Sequence, residues 1–549
     1  MAHSMETDYD VIILGGGLAG LCLARQLRMA NERPRILILE RTPHPVPEAA
    51  FKVGESSVEL GAHYFAKTLK LEEHIHKSQL PKFGLRFFYN SPDNRFIDDG
   101  FEQGVAKRFT TPSYQLDRGR LENFMVNELA SMNIEFCSGA KVTKVDLHET
   151  SGPHRIQFIH EGENREKTAR WVVDACGRAA ILRRQLNLEL DSGHKVNAVW
   201  FRLNCKIQVD DWGSSEQWKQ QQVGGHPQSR WLSTNHLMGE GYWVWLIPLA
   251  SGATSVGIVA DQRLHPLSEL NRFDRALTWL KHHQHLCAAA IEKNRDLLMD
   301  FKVLKNFSHD CRQVFSPQRW ALTGDAGVFL DPFYSPGSDF IAMSNTFITE
   351  IIQRDLARKP IGAQTHIYNQ IYLNSYRQSL VVYLDQYPIF GNSHVMPVKT
   401  LWDYAVYWSL LAFFFIQGRL TDLSVYPRIK DGIKQVGLIN QEMQVFFRNW
   451  HRHCRGPMAR GFLDQGTISF LAKLNKNLAE ELDADQFVER FHENLDLLAE
   501  LAVEIREHAM KLAPRIPIPK LQQYGRTDFT PRLEEVFAVI EGSGQAVGL

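Results

Sequence analysis

At its start the chain alternates short apolar runs with an amphipathic segment. The run Val11–Leu14 is followed by several glycines and by a helical pattern from Leu18 to about Met29, and a second run, Ile36–Leu39, ends in Glu40. This order predicts a βαβ unit with parallel strands. Because mixed strand and helix patterns continue to about residue 190, we expect an α/β domain here.

The middle of the chain is richer in strand patterns. Runs rich in β-branched and aromatic residues at Ala198–Arg202, Tyr242–Ile247 and Thr254–Val259 predict a second sheet. A short strand at Trp320–Leu322 then leads into a helix expected from about Phe340 to Leu356. Further on, helical periodicity dominates.

Composition and charge exclude several classes of protein. Among 549 residues, 62 Lys and Arg balance 62 Asp and Glu, so no overall charge attracts nucleic acid or an anionic membrane. Seven Cys without a C-x-x-C pair and a start without a signal-peptide pattern predict a reduced, cytoplasmic location. The longest apolar run, Ala405–Ile416, is too short to span a bilayer. The clusters His282–His285 and His451–Cys454 lack metal-site spacing, so we expect no metal.

Three glycines after the first strand predict a dinucleotide site. Gly15, Gly17 and Gly20 form G-x-G-x-x-G at the mouth of a helix. Gly15 makes the tight turn, Gly17 lets the backbone approach a pyrophosphate, and Gly20 lets the helix pack on the strand. Leu18 and Ala19 lie at the helix N-terminus, where unpaired N–H groups favour an anion.

An acidic residue and a later turn extend this site. Glu40 ends the second strand, where a carboxylate would bind ribose hydroxyls, and Arg41 follows it. Gly324 and Asp325 follow a later strand, and Arg118 opens a predicted helix. This pattern resembles the FAD folds of flavin monooxygenases and glutathione reductase. The resemblance implies that Asp325 binds the ribityl chain of FAD, although an ordinary helix cap is the simpler alternative.

A second motif lies in the middle sheet. Trp243–Pro248 reads WVWLIP, which resembles the W-x-W-x-I-P motif of the flavin-dependent halogenases, the tryptophan-halogenase-like family. By strand alternation Trp243 and Trp245 share one face, with Ile247 and Pro248 closing the motif. The alternative is an amphipathic strand that ends at a proline. In a chain with an FAD cradle, the halogenase interpretation is favoured.

Other segments resemble the same family in chain order. Val53–Ser57 resembles its V-G-E-S segment near the flavin, and Glu55 and Ser56 are either structural or functional there. Pro81–Gly84 aligns with the segment that carries the catalytic lysine, which implies that role for Lys82.

The loop Asp331–Gly337 resembles the family loop over the isoalloxazine ring. The resemblance implies that Tyr334 and Ser335 line the pocket, and that Gly337 and Ser338 contact the cofactor or the halide. Tyr334 stands where enzymes acting on free tryptophan have Glu, which argues against that substrate. Pro336 has no N–H, so one expected halide donor is missing, which favours bromide.

The resemblance implies a function in secondary metabolism: FADH2- and O2-dependent halogenation of a phenol, pyrrole or indole, free or carrier-bound. Hypohalous acid, formed from chloride or bromide, would be guided to Lys82, with Lys52 as the competing lysine. A separate flavin reductase would supply FADH2, because no NAD(P)H domain is evident. The alternatives are an FAD-dependent monooxygenase or oxidase acting on a small molecule or a protein aromatic residue, and a non-catalytic flavin-binding partner.

The expected fold is α/β, with a glutathione-reductase-like FAD-binding domain, an inserted β substrate domain and an α-helical C-terminal region. We expect the first part of the FAD-binding domain, including the Lys82 segment, at 8–190 and its last part at 306–358. The substrate domain with the W-x-W-x-I-P strand would occupy 191–305, and the helical region 359–549.

Overall fold

The computed structural model describes residues 7–49, 53–91, 93–149, 152–454, 457–514, 516 and 533–541. The chain divides into two compact units. The first comprises the residues up to Gln79, Leu116–Gly193 and Ser308–Ser379. The second comprises Leu80–Gln115, His194–Phe307 and the residues from Leu380 onward.

The strands in the described part of the chain are β1 Tyr9–Leu14, β2 Ile36–Glu40, β3 Leu80–Pro81, β4 Leu85–Tyr89, β5 Phe101–Gly104, β6 Tyr114–Gln115, β7 Glu135–Ser138, β8 Lys141–Asp146, β9 His154–His160, β10 Glu163–Asp174, β11 Glu189–Leu190, β12 Val196–Leu203, β13 Thr234–Gly239, β14 Tyr242–Pro248, β15 Thr254–Asp261, β16 Leu298–Leu304, β17 Asp310–Cys311, β18 Phe315–Ser316, β19 Trp320–Leu322 and β20 Gly461–Asp464.

The α-helices in the same ranges are α1 Leu18–Ala30, α2 Glu59–His63, α3 Glu72–Ser78, α4 Arg118–Leu129, α5 Ile181–Gln185, α6 Glu216–Gln220, α7 Phe273–His283, α8 His285–Lys293, α9 Gly337–Leu356, α10 Gly362–Leu380, α11 Val395–Ser409, α12 Leu411–Ile416, α13 Tyr426–His453, α14 Ser469–Asn477, α15 Ala484–Leu512 and α16 Glu534–Ile540.

The main sheet of the first unit has the order β18-β19-β10-β1-β2-β7, with β9 and β8 added beyond β10. Strands β19, β10, β1, β2 and β7 run parallel. Their apolar runs are buried, as expected of a sheet covered on both faces. Leu14 lies opposite Asp174, which lies opposite Leu322, so three strands end side by side. The segments that follow these strands are therefore neighbours.

The sheet of the second unit has the order β16-β12-β15-β14-β13-β4-β5-β20. It is antiparallel except at the pairs β13–β4 and β5–β20. Val244 and Leu246 of β14 belong to an apolar core with Leu277 of α7. Strand alternation therefore puts Trp243 and Trp245 on the opposite face.

Helices dominate the chain after residue 379, and aromatic and amide contacts join them. Phe413 of α12 stacks on Phe487 of α15, with ring centroids 4.7 Å apart. The Trp402 indole of α11 donates a hydrogen bond to Asn440 of α13 at 2.9 Å. Among the helices that the structure describes, none is both long and apolar enough to cross a membrane.

Candidate active site

The predicted glycine cradle lies between β1 and α1. Gly15 has a φ of +104°, a conformation that L side chains avoid. A Cβ on Gly20 would lie 2.0 Å from the Gly15 carbonyl oxygen, so only glycine fits there. Gly17 precedes α1 without a side-chain cap, and Leu18 and Ala19 form the open first turn. A turn of this shape with uncapped N–H groups fits the pyrophosphate of a dinucleotide.

The end of β2 holds the glycine turn in place. The Glu40 carboxylate accepts hydrogen bonds from the N–H groups of Gly16 and Thr42, both at 2.6 Å. The half-buried Glu40 is thus fixed beside the turn, and Arg41 next to it is exposed. The ribose contact of Glu40 stays a prediction.

The turn after β19 brings a second acidic group to the cradle. A Cβ on Gly324 would lie 3.1 Å from the Ala19 Cβ, so this turn faces the start of α1. Burial raises the pKa of the Asp325 carboxyl, against the opposing charges of Arg178, Arg118 and Arg183. Within the described ranges the Asp325 carboxylate accepts no hydrogen bond. A half-buried acceptor of this kind fits the hydroxyl groups of a ribityl chain.

Arg118, at the start of α4, holds the V-G-E-S segment. Its guanidinium donates to the Val53 carbonyl at 2.8 Å and pairs with the buried Glu122 at 2.8 Å. Glu55 and Ser56 are buried, and the Glu55 carbonyl accepts a hydrogen bond from the Leu116 N–H at 2.6 Å. Arg118 therefore connects this segment to α4.

The loop before α9 lies beside the same segment. The Ser335 hydroxyl donates to Ser56 Oγ at 3.1 Å, and Ser335 has a φ of +59°. Tyr334 is half-buried against Phe333, with ring centroids 4.6 Å apart. Asp331 accepts a hydrogen bond from the Phe333 N–H at 3.0 Å. The hydrogen bonds of Asp331 and Ser335 therefore fix the two ends of this loop.

Helix α9 begins at Gly337, earlier than the predicted Phe340, because the fixed φ of Pro336 suits the position before a first helical turn. No side chain caps this end. The N–H groups of Gly337 and Ser338 therefore face the loop without a backbone acceptor among the described residues. This end of α9 can accept an anion or the flavin edge.

In the second unit, Lys82 is only 3% exposed. The Lys82 N–H donates to the Ser113 carbonyl at 2.9 Å, and the Phe83 N–H donates to the Leu232 carbonyl at 3.1 Å. Phe83 and Leu85, on either side of Gly84, are also buried. Lys82 is therefore not an ordinary surface lysine. Lys52, the competing lysine, lies outside the described residues.

The W-x-W-x-I-P strand is β14, which Pro248 ends. The Trp243 indole donates to the Tyr387 hydroxyl at 3.1 Å and stacks on His236, with centroids 5.0 Å apart. The Trp245 indole donates to Ser255 at 3.2 Å, and Ile247 and Pro248 are buried. The two indoles are 5.6 Å apart and share a face, as alternation predicted.

Sequence reasoning missed Tyr387, which holds the Trp243 indole. It lies far along the chain, in a helical segment with no motif, so no local signal was available. Within the described ranges, no group of three or more His, Cys, Asp or Glu side chains could hold a metal ion.

Comparisons with known proteins support the predicted dinucleotide-binding domain. The model of the FAD binding domain family matches residues 8–276. The chain is 27% identical over 442 residues to the flavin-dependent halogenase chlA of Dictyostelium discoideum, covering 75% of this chain and 71% of that protein. It is 26% identical over 355 residues to the 1H-pyrrole-2-carbonyl-[peptidyl-carrier protein] chlorinase of Pseudomonas fluorescens, covering 60% of this chain and 73% of that one.

Solved structures share the fold at low identity. The halogenase PltM, in complex with phloroglucinol and FAD, aligns with a TM-score of 0.59 and 15% identity over 92% of this chain and 97% of that one. The flavin-dependent brominase Bmp2 aligns with a TM-score of 0.53 and 18% identity over 80% and 97%. These matches confirm the predicted α/β FAD-binding fold with its helical C-terminal region. The match to the FAD binding domain model supports FAD as the cofactor, and the chain is similar to the flavin-dependent halogenases.

Proposed function

We propose that this protein halogenates an electron-rich aromatic ring with reduced FAD, O2 and a halide. The cofactor supplies two electrons, so that FADH2, O2, X⁻ and H⁺ give FAD, HOX and one water, where X is chloride or bromide. HOX then converts an aromatic C–H bond into C–X and releases a second water. Lys82 receives the HOX and delivers the halogen, either through an N–X bond or by holding HOX with a hydrogen bond.

The burial of Lys82 carries this proposal. A lysine that is 3% exposed on a hydrogen-bonded segment is held away from bulk water. Water competes for HOX and for any reactive N–X group, so its exclusion favours transfer to the substrate. A fixed backbone also limits the positions that the amine can reach.

The substrate class rests on two kinds of observation. The curated relatives include a halogenase of a carrier-bound pyrrole and one of sulochrin, and the PltM structure contains phloroglucinol. Tyr334, in place of a Glu, argues against free tryptophan. We therefore propose a phenol or pyrrole substrate, free or attached to a carrier protein.

A separate flavin reductase supplies FADH2 in this proposal. The part of the chain that the structure describes contains one strand–glycine–helix cradle, which the FAD site uses. Within these described residues no second cradle for NADH is evident. Without a reductase, NADH and the purified protein should give no product.

The test is a halide-dependence assay. The protein, FAD, NADH and a generic flavin reductase are incubated with bromide, with chloride or without halide. The substrates are phloroglucinol, other phenols, free pyrroles, indoles and a carrier-bound pyrrole-2-carbonyl group, and products are identified by mass spectrometry. The variants are Lys82→Ala and, as a matched control on the same segment of the second unit, the exposed Lys107→Ala.

We expect a bromine or chlorine isotope pattern in the parent and in Lys107→Ala, and its loss by about a hundredfold or more in Lys82→Ala. Bromide should exceed chloride because Pro336 lacks an N–H. A gain of one oxygen without halide would instead identify a monooxygenase. The absence of any halogenated product across the whole panel, including the carrier-bound pyrrole, would count against halogenation.

A further inference from the structure

The segment that carries Lys82 is held on its other side by a buried serine. The Ser233 hydroxyl donates to the Phe83 carbonyl at 3.0 Å, and Arg86 Nε donates to Ser233 Oγ at 3.3 Å. An arginine cannot accept a hydrogen bond, so the serine hydrogen must point to the Phe83 carbonyl. Ser233 is fully buried, so no water can replace this bond.

Arg86 is in turn fixed by its own partners. One guanidinium nitrogen forms an ion pair with Glu102, and another donates to the Val105 carbonyl at 2.7 Å. The second Glu102 oxygen accepts a hydrogen bond from the Trp218 indole at 2.7 Å. Both carboxylate oxygens of Glu102 are therefore engaged, and the orientation of Arg86 is defined.

A second buried arginine completes the cluster. Arg230 donates to Glu102 at 2.9 Å and to Asp210 at 2.9 Å, and its guanidinium lies 3.6 Å from the Trp218 ring centroid. All four charged side chains are buried. Two positive and two negative groups give no net charge, so the cluster places no uncompensated charge behind the Lys82 segment. A fully paired buried network of this kind is rigid but costly to disrupt.

We infer that Ser233, held by the Arg86–Glu102 pair, is a positioning residue that fixes the backbone beside Lys82, so that halogen is delivered to the aromatic ring instead of escaping as free hypohalous acid. This inference rests on the proposed function of Lys82. Ser233 does not touch the reacting atoms. It acts by limiting the position of the amine, where a displacement of about 1 Å costs up to a hundredfold in rate.

The test measures how the oxidant divides between two products. The parent and its variants are supplied with reductase, FAD, NADH, bromide and the panel substrate that gives most product. Taurine is added because free hypobromous acid converts it to the N-bromo amine. The halogenated aromatic and the N-bromo taurine are measured together, and their sum reports total bromide oxidation.

Four variants separate positioning from general stability. Ser233→Ala removes the hydroxyl, Ser233→Thr retains it, and Ser233→Cys keeps the volume with a weaker donor. Ser308→Ala is the matched control, because Ser308 is a buried serine of the first unit whose hydroxyl donates to the Phe329 carbonyl at 3.1 Å.

In Ser233→Ala we expect total bromide oxidation within about twofold of the parent, with the ratio of aromatic product to N-bromo taurine about tenfold lower. Ser233→Thr should restore the ratio to within about threefold, Ser233→Cys should lie between Thr and Ala, and Ser308→Ala should leave it unchanged. A merely structural role would lower both products together and leave the ratio unchanged.

Two results would overturn the inference. If Ser233→Ala keeps the parental ratio while Lys82→Ala abolishes aromatic product, Ser233 has no positioning role and the proposed function stands. If Lys82→Ala also keeps its aromatic product, or no panel member is halogenated, the proposed function fails and the inference fails with it. Should Ser233→Ala not fold, the ratio in Ser233→Cys decides, and a parental value there contradicts positioning.

Discussion

At Gly20 the backbone of α1 meets the turn that precedes it. A Cβ at this position would lie 2.0 Å from the Gly15 carbonyl oxygen and 3.2 Å from the Ile13 side chain. The nearer contact is with backbone, which cannot move aside without opening the turn. The shape of this turn, the predicted FAD cradle, therefore depends on Gly20 having no side chain.

We expect Gly20→Ala to weaken FAD binding by about tenfold or more, because the displaced turn no longer presents its N–H groups to the pyrophosphate. Titration with FAD, followed by flavin fluorescence, measures the affinity. Gly362→Ala is the control, since a Cβ at Gly362, at the start of α10, meets nothing within 4 Å. Equal affinities in the two variants would contradict this account of the cradle.

At the scale of elements, an ion pair lies inside the helical region. Lys399 and Asp403 are one turn apart on α11, 2.5 Å from each other, and both are buried. Lys399 also donates to the Val382 carbonyl, and Asp403 accepts a hydrogen bond from Gln444 of α13 at 2.8 Å. Burial lowers the pKa of Lys399, and the adjacent Asp403 carboxylate opposes that shift. The pair joins α11 to α13.

Asp403→Asn should destabilise the protein by about 3–5 kcal/mol, because it leaves the Lys399 charge buried without a counter-charge. The double variant Lys399→Met, Asp403→Leu should recover most of this loss, since no charge is then buried. Urea unfolding, followed by tryptophan fluorescence, gives the free energies. A double variant less stable than Asp403→Asn would show that the pair itself stabilises the fold.

Some elements could be predicted from local pattern and others could not. The β1-α1-β2 unit and β14 were predicted within a few residues, because their apolar spacing is local. Strands β4 and β20 were not, because each is short and pairs in parallel with a segment far away in the sequence.

The distinction between local pattern and long-range contact also applies to the candidate active site. The glycines and Asp325 belong to short motifs, so the sequence points to them directly. The burial of Lys82 and the contact of Ser233 with Phe83 arise only when segments far apart in the chain meet. Motifs predict the residue types of a site, and tertiary packing decides how those residues are held.

For the molecule as a whole, the free energy of unfolding depends on pH through groups whose pKa changes on folding. His154 is buried, and its Nδ1 accepts a hydrogen bond from the His148 N–H at 3.0 Å. Its Nε2 lies 3.1 Å from the Arg319 carbonyl, so the hydrogen is on Nε2. Burial lowers the pKa of His154 to about 4. Protonation of Nδ1 would break the bond to His148.

The folded pKa of His154 lies below the ordinary value of 6.5, so the unfolded chain binds this proton more readily. The stability from this group is therefore present above pH 6.5 and is lost as pH falls toward 4. At pH 5 the loss is about 2 kcal/mol. Urea unfolding at pH 7.5 and at pH 5 should show a smaller loss in His154→Gln than in the parent. An equal loss in both would exclude His154 as the source.

Strand β20 limits where the chain can be truncated. It comes from the helical region and pairs in parallel with β5, and the Asp464 side chain accepts a hydrogen bond from the Ala106 N–H at 3.0 Å. A chain cut before Gly461 would expose the edge of β5, a row of unpaired N–H and C=O groups that invites aggregation. The helical region therefore contributes a strand to the sheet of the second unit, and its removal would leave the edge of β5 unpaired.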